Sequence, residues 1–144
     1  MDQRCGFFRD DVFQFIQKSL EVPEFKSLKA KDECTAEIFS IDTKQSPDNF
    51  GFEFTGYIKI PVTGVYTFYT ASDDGSILFI GDKLVVDNDG LHGTVEKKGI
   101  VALEAGYHPI KVGFFERTGG DALSVYYKGP EIKKQIIPAG VLFY

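Results

Sequence analysis

The chain has 144 residues and no tryptophan, with one methionine, two histidines and two cysteines. Each scarcity removes a class of explanation. Without Trp, any flat stacking surface for a ligand has to come from the 14 Phe and 7 Tyr. Cys5 and Cys34 make one bridge or none, which is no disulfide framework and does not fix a redox compartment. His92 and His108 lie in no nucleophile or zinc motif, since neither Gly-x-Ser-x-Gly nor His-Glu-x-x-His occurs. No window approaches the ~20 apolar residues of a membrane-spanning helix. Met1-Asp2-Gln3-Arg4-Cys5 lacks the basic start and apolar stretch of a secretory signal.

Positive charge is also short. The net charge is -5 and the isoelectric point about 5.0, against a nucleic-acid binder or a protein docking on anionic membrane. The excess is local. Asp73, Asp74, Asp82, Asp87 and Asp89 face only Lys83 within residues 73–93, whereas the last third of the chain is slightly basic. Asp and Asn favour turns, so this is either a set of turns or a site for a hard cation. At 43% hydrophobic residues the chain is not disordered, and its length suits one domain.

What is present reads as strands. In the ten residues from Gly51, Phe52, Phe54, Ile58 and Ile60 fall on one face and Glu53, Thr55, Tyr57 and Lys59 on the other. A β-branched and aromatic run follows from Gly64, broken at Ser72-Asp73-Asp74-Gly75-Ser76. Gly81-Asp82-Lys83 between two apolar runs reads as a tight hairpin. Strands then recur at 99–104, 107–115, 122–128 and 135–144, with turns between them, and Pro109 marks an edge strand or a strand start. No βαβ alternation appears. The expected class is all-β, an antiparallel β-sandwich or barrel of jelly-roll type. Phe8, Val12, Phe15, Ile16 and Leu20 fall near helical spacing, although Val12–Ile16 also reads as a short strand.

Two acidic motifs compete. Asp87, Asp89, Gly90 and Glu96 match four positions of an EF-hand loop, but Val85 stands at the first ligand position and a strand precedes it, so a self-satisfying turn is expected. Asp73-Asp74 is more informative. Neighbouring side chains in a regular strand point to opposite faces, so these two carboxylates chelate one ion only if the peptide between them is cis. An ordinary Asp-Asp-Gly-Ser turn is the competing reading. Calcium takes 6–8 oxygens, so two aspartates leave room for main-chain carbonyls, water or sugar hydroxyls. His92 belongs to a loop, and His108 packs within a strand. Glycoside hydrolysis needs only two carboxylates, yet nothing pairs them across a cleft.

Several blocks are similar in order and spacing to the protective-antigen domain, often called PA-fourteen. They are Phe54-Thr55-Gly56, Gly64-Val65-Tyr66-Thr67-Phe68, Ser72-Asp73-Asp74-Gly75-Ser76, Gly81-Asp82-Lys83 through Asp87, Asn88-Asp89-Gly90-Leu91-His92-Gly93 and Ala105-Gly106-Tyr107-His108. The resemblance covers residues 48–130 strongly and reaches more weakly to about 12 and 138. It implies the sandwich, makes Val12–Ile16 the first strand, and divides the chain into a leader at 1–11 and a domain at 12–144. It further implies a non-catalytic carbohydrate-binding module of a secreted, periplasmic or cell-surface protein. Such modules accompany adhesins and glycan-degrading enzymes, so the chain is expected to be no enzyme, though it could be a fragment of a β-glucosidase or β-hexosaminidase. Its partners would be a glycan or oligosaccharide and a neighbouring hydrolase domain, with no nucleic acid.

The resemblance assigns calcium to Asp73 and Asp74; for a module that binds sugar there, His92, Glu116, Arg117 and Asp121 are the expected contacts from neighbouring loops, with Tyr or Phe from the loops adding apolar contact. The adhesin branch draws a further asparagine ligand from a later loop. Here the corresponding segment, Glu116 to Asp121, has none, so either Asp121 or Glu116 substitutes as a ligand or the domain holds no metal. The alternative is a structural or interaction domain that packs on a hydrolase neighbour and shapes its pocket. That reading requires a sizeable apolar patch on the surface.

Overall fold

A strand turns successive side chains to opposite faces, so an alternating sequence buries one face only by packing a second sheet over it. The structure, a computed structural model, describes residues 8–14, 32–36, 50–90, 92–116 and 122–143. Its strands are β1 (Phe8–Gln14), β2 (Asp32–Ala36), β3 (Phe50–Ile60), β4 (Gly64–Asp73), β5 (Ser76–Ile80), β6 (Lys83–Asn88), β7 (Val95–Leu103), β8 (Gly106–Glu116), β9 (Ala122–Gly129), β10 (Ile132–Ile136) and β11 (Leu142–Phe143). The larger sheet runs β2-β1-β3-β8-β5-β6, with β11 also on β3, and the smaller runs β10-β9-β4-β7. Every pairing is antiparallel. The chain is therefore an all-β sandwich.

The core lies between the sheets. Phe54, Ile58 and Ile60 of β3 and Ile110, Val112 and Phe114 of β8 face Tyr66 and Phe68 of β4, Val101 of β7 and Tyr127 of β9. Tyr57 and Lys59 are exposed, as the alternation of β3 requires. Fully burying one such aromatic or aliphatic side chain contributes about 1.5–3 kcal/mol. The Gly81 hairpin also forms. Gly81 takes φ 60°, and its N–H bonds to the Pro109 carbonyl oxygen at 2.8 Å.

Two local expectations change. The first strand, expected at Val12–Ile16 in place of the helical spacing, runs Phe8–Gln14 and so starts four residues earlier, within the 1–11 segment, because β1 finds β2 on one side and β3 on the other. Phe15 to Leu20 lie outside the described residues. Pro109 sits in β8, an interior strand between β3 and β5, rather than on a sheet edge. It is tolerated because β5 pairing ends at Ile80–Ile110, so the missing N–H faces the side where the ladder has stopped.

Candidate functional site

β4 delivers the acidic motif to one end of the sandwich. Thr70 and Ser72 share the inward face with Tyr66 and Phe68, while Asp73 ends the strand opposite Ala122 of β9. The Asp73–Asp74 peptide bond is cis. Asp73 is half-buried, and Asp74 is only 6% exposed. The main-chain N–H of His92 donates to Asp74 Oδ1 at 3.3 Å. Asp74, on the β4–β5 turn, is thus tied to the loop joining β6 and β7.

Gly75 is where these segments touch most closely. A Cβ there would lie 2.6 Å from Phe115 Cε1 and 2.8 and 2.9 Å from the main-chain N and O of Gly90. The Phe115 N–H also donates to the Gly75 carbonyl at 3.0 Å. The turn therefore sits on a fully buried Phe115 and under Gly90, and only a residue without a side chain fits.

Directly beneath lies a polar box between the sheets. Thr70, Ser72, Ser76 and Asn88 are all 0% exposed. Ser72 and Ser76 hydroxyls meet at 2.7 Å, and Ser76 donates to Thr70 Oγ1 at 2.9 Å. Asn88 Nδ2 donates to the carbonyl oxygens of Val95 at 2.8 Å and Thr70 at 3.1 Å, with Ser72 Oγ at 3.3 Å. Its Oδ1 has no partner among the described residues. Buried polar groups require hydrogen bonds, so this amide couples β6 to β4 and β7 in one arrangement. The ring of His92 bridges its own loop, with Nε2 2.9 Å from the Asn88 carbonyl oxygen and Nδ1 2.7 Å from that of Gly93.

Of the six residues expected at the site, three are brought together: Asp73, Asp74 and His92. Glu116 closes β8 in register with Phe50, and its side chain lies outside the described residues, as do Arg117 and Asp121. The strand ends on either side of that segment are at this rim, since Phe115 bonds Gly75 and Ala122 pairs with Asp73. The EF-hand match binds nothing in common. Asp87 Oδ1 accepts from the Asp89 N–H at 3.3 Å and Asp89 Oδ1 from Gly90 at 2.9 Å, while Glu96 pairs with Lys134 at 2.9 Å. His108 Nε2 lies 2.7 Å from the Glu104 carbonyl. Exposed Tyr57 and Tyr107 stand on β3 and β8 rather than on loops. The pairing of Cys34 with Cys5 falls outside the described residues.

The oxygen-only character of the Asp73–Asp74 rim suits a hard cation. Among the described residues no group of three or more His, Cys, Asp or Glu is placed to hold a metal. Two carboxylates are thus the acidic contribution of the described rim. The sequence reading missed the polar box. The available signal was that Thr70 and Ser72 fall in step with Tyr66 and Phe68, which puts hydroxyls on a core face.

A family model described as the PA14 domain matches residues 30–140. Anti-sigma-I factor RsgI3 of Acetivibrio thermocellus is 26% identical over 103 residues, covering 71% of this chain and 16% of that protein. An anti-sigma factor domain-containing protein from Clostridium clariflavum has a solved structure with TM-score 0.78 at 23% identity, covering 97% of this chain and 47% of that one. The PA14 sugar-binding domain from an RTX adhesin has TM-score 0.81 at 15% identity, covering 98% of this chain and 99% of that one. The chain thus spans about half, or less, of the length of the two anti-sigma relatives.

Proposed function

The chain belongs to the PA14 domain family, and from that premise we propose that it is a non-catalytic carbohydrate-binding module of an exported or cell-surface protein, which holds a glycan at the Asp73–Asp74 rim with the help of calcium. The observation that carries the reading is the placement of two adjacent carboxylates at one end of the sandwich, with the His92 loop fastened to Asp74. The sugar-binding domain of the RTX adhesin, alike over nearly its whole length, supports it. Asp73 and Asp74 would hold the ion, which supplies coordination sites for vicinal sugar hydroxyls. His92 holds the rim in shape, and Glu116, Arg117 and Asp121 would contact the glycan from the segment between β8 and β9. The test is calorimetry of the purified chain against a glycan panel, with calcium and with a chelator. Binding with calcium that the chelator abolishes is expected; no glycan bound in either condition overturns the reading.

One observation favours a second reading, a docking domain. Val65, Ile100 and Ile136 are 59%, 61% and 51% exposed on the outer face of the smaller sheet. In a longer chain this face would pack on a neighbour, whether a hydrolase or a regulatory domain like those of the anti-sigma relatives. Deleting the domain from its parent would then alter the neighbour's activity or stability without any loss of sugar affinity.

A further inference from the structure

We propose that the outer face of the larger sheet carries a second ligand site, separate from the rim and suited to a saccharide unit bearing a carboxylate, such as a uronic acid. The alternation that buries Phe54 and Ile58 turns Thr55 and Tyr57 of β3 outward, and the register sets them beside Lys111 and Pro109 of β8. An open cleft of about 520 Å³ lies there, lined by Thr55, Tyr57, Gly81, Pro109, Ile110 and Lys111. That volume falls within the range of about 300–1,000 Å³ usual for small-molecule sites.

Its chemistry is specific. Tyr57 is 46% exposed, and Tyr107, on the same face, is 57% exposed with its ring edge-on to Phe143 at 5.3 Å between centroids. An aromatic face beside a polar fringe packs against the C–H face of a pyranose. Among the described residues Lys111 is the only charged one in the lining. Its Nζ lies 4.9 Å from the centre of the Phe79 ring, and it has no carboxylate partner among the described residues. Lys59, two residues beyond Tyr57, adds a second cation in register with Tyr107. Glu53 and Asp82, acids on or next to this sheet, lie outside the lining.

In a chain of net charge -5, the charge that the described lining itself presents is thus positive. A neutral sugar would leave the lysine unused, whereas an acidic peptide would leave the tyrosine face unused. The site stands apart from the rim. β5 runs between them from Ser76 to Ile80, a span of about 15 Å for its length. It needs no metal and does not depend on the rim reading.

The test measures binding of a β-linked glucuronate tetrasaccharide to the purified chain by calorimetry in the presence of a chelator, with the neutral glucose tetrasaccharide alongside. The acidic sugar is expected to bind at least tenfold more tightly than the neutral one, and to weaken as salt is raised. Lys111→Ala and Tyr57→Ala should each weaken it about tenfold, and Asp74→Asn should leave it unchanged. Lys111→Gln, which keeps the stem, guards against a packing effect and should behave like Lys111→Ala. Four outcomes overturn the proposal: no binding, equal affinity for the neutral sugar, affinity indifferent to Lys111, or displacement by an oligoglutamate peptide as effective as by the acidic sugar itself.

Discussion

The main-chain N–H of His92 donates to the Asp74 carboxylate at 3.3 Å although the two residues stand eighteen apart in the chain. Because the Asn88 carbonyl oxygen contacts the His92 ring, and the Asn88 amide reaches β4 and β7, the rim behaves as one hydrogen-bonded unit from Thr70 to Val95. A site meant to hold a ligand gains from such bracing, since groups already fixed lose less freedom on binding.

The charge of Asp74 is therefore separable from its structural part. Asp74→Asn keeps an oxygen that accepts the His92 N–H but removes a negative charge from the rim. The folded state should survive, with a melting temperature within a few degrees of the parent. Calcium-supported glycan affinity should fall tenfold or more, a loss of about 1.4 kcal/mol or above. Calorimetry checks both halves, and an unchanged affinity would remove Asp74 from the site.

Gly75→Ala acts on shape alone. The new methyl would meet Phe115 at 2.6 Å and the main chain of Gly90 at 2.8 Å. A ring end yields, but main chain on a braced loop yields less, so overpacking of about 1–3 kcal/mol is expected. Urea denaturation should show a lower midpoint with an unchanged slope, and rim binding should weaken in parallel. Binding at the Tyr57–Lys111 cleft should not change, because that cleft lies about 15 Å along β5.

Asn88 tests the polar box. Asn88→Ala deletes the donor shared by Thr70, Ser72 and Val95 and leaves a small void, for a cost of about 2–4 kcal/mol. Asn88→Asp should cost more, since a buried carboxylate would then face carbonyl oxygens at 2.8 and 3.1 Å from the present amide nitrogen. If Asp were the milder change by chemical denaturation, the bracing role would be wrong.

How much of this was legible depended on whether a residue's neighbours were local. β3 could be read outright, because alternation needs only the residue's own strand, and the Gly81 hairpin because positive φ belongs to the turn itself. The Asp73–Asp74 break was visible for the same reason. The polar box was not: alternation put Thr70 and Ser72 on the core side, but only the sandwich brings Ser76 and Asn88 to meet them. Phe8 to Gln14 was ambiguous because a seven-residue segment fits either period, and strand pairing with β2 and β3 decided it. Pro109 misled, since a proline's tolerance in a sheet depends on where the adjacent strand stops. Alternation alone turned Tyr57 outward, but only the register of β3 with β8 sets it on one sheet face with exposed Tyr107.

Stability at high pH follows from Tyr127. Burial, and then the neighbouring Tyr66, raise its pKa above the ordinary 10.0. The unfolded chain therefore releases this proton before the folded one does. The contribution to stability is complete below pH 10 and is lost as pH rises through the folded value. Lys134 shifts the same way, through its hydrogen bond with Glu96, but that pair is solvent-exposed and screened. Urea midpoints should stay level in the range just below pH 10 and then decline. Tyr127→Phe has no proton to lose, so its decline above pH 10 should be shallower, while Glu96→Gln should retain the Tyr127 share. Parallel declines in the parent and Tyr127→Phe would show that burial of this phenol does not set the alkaline limit.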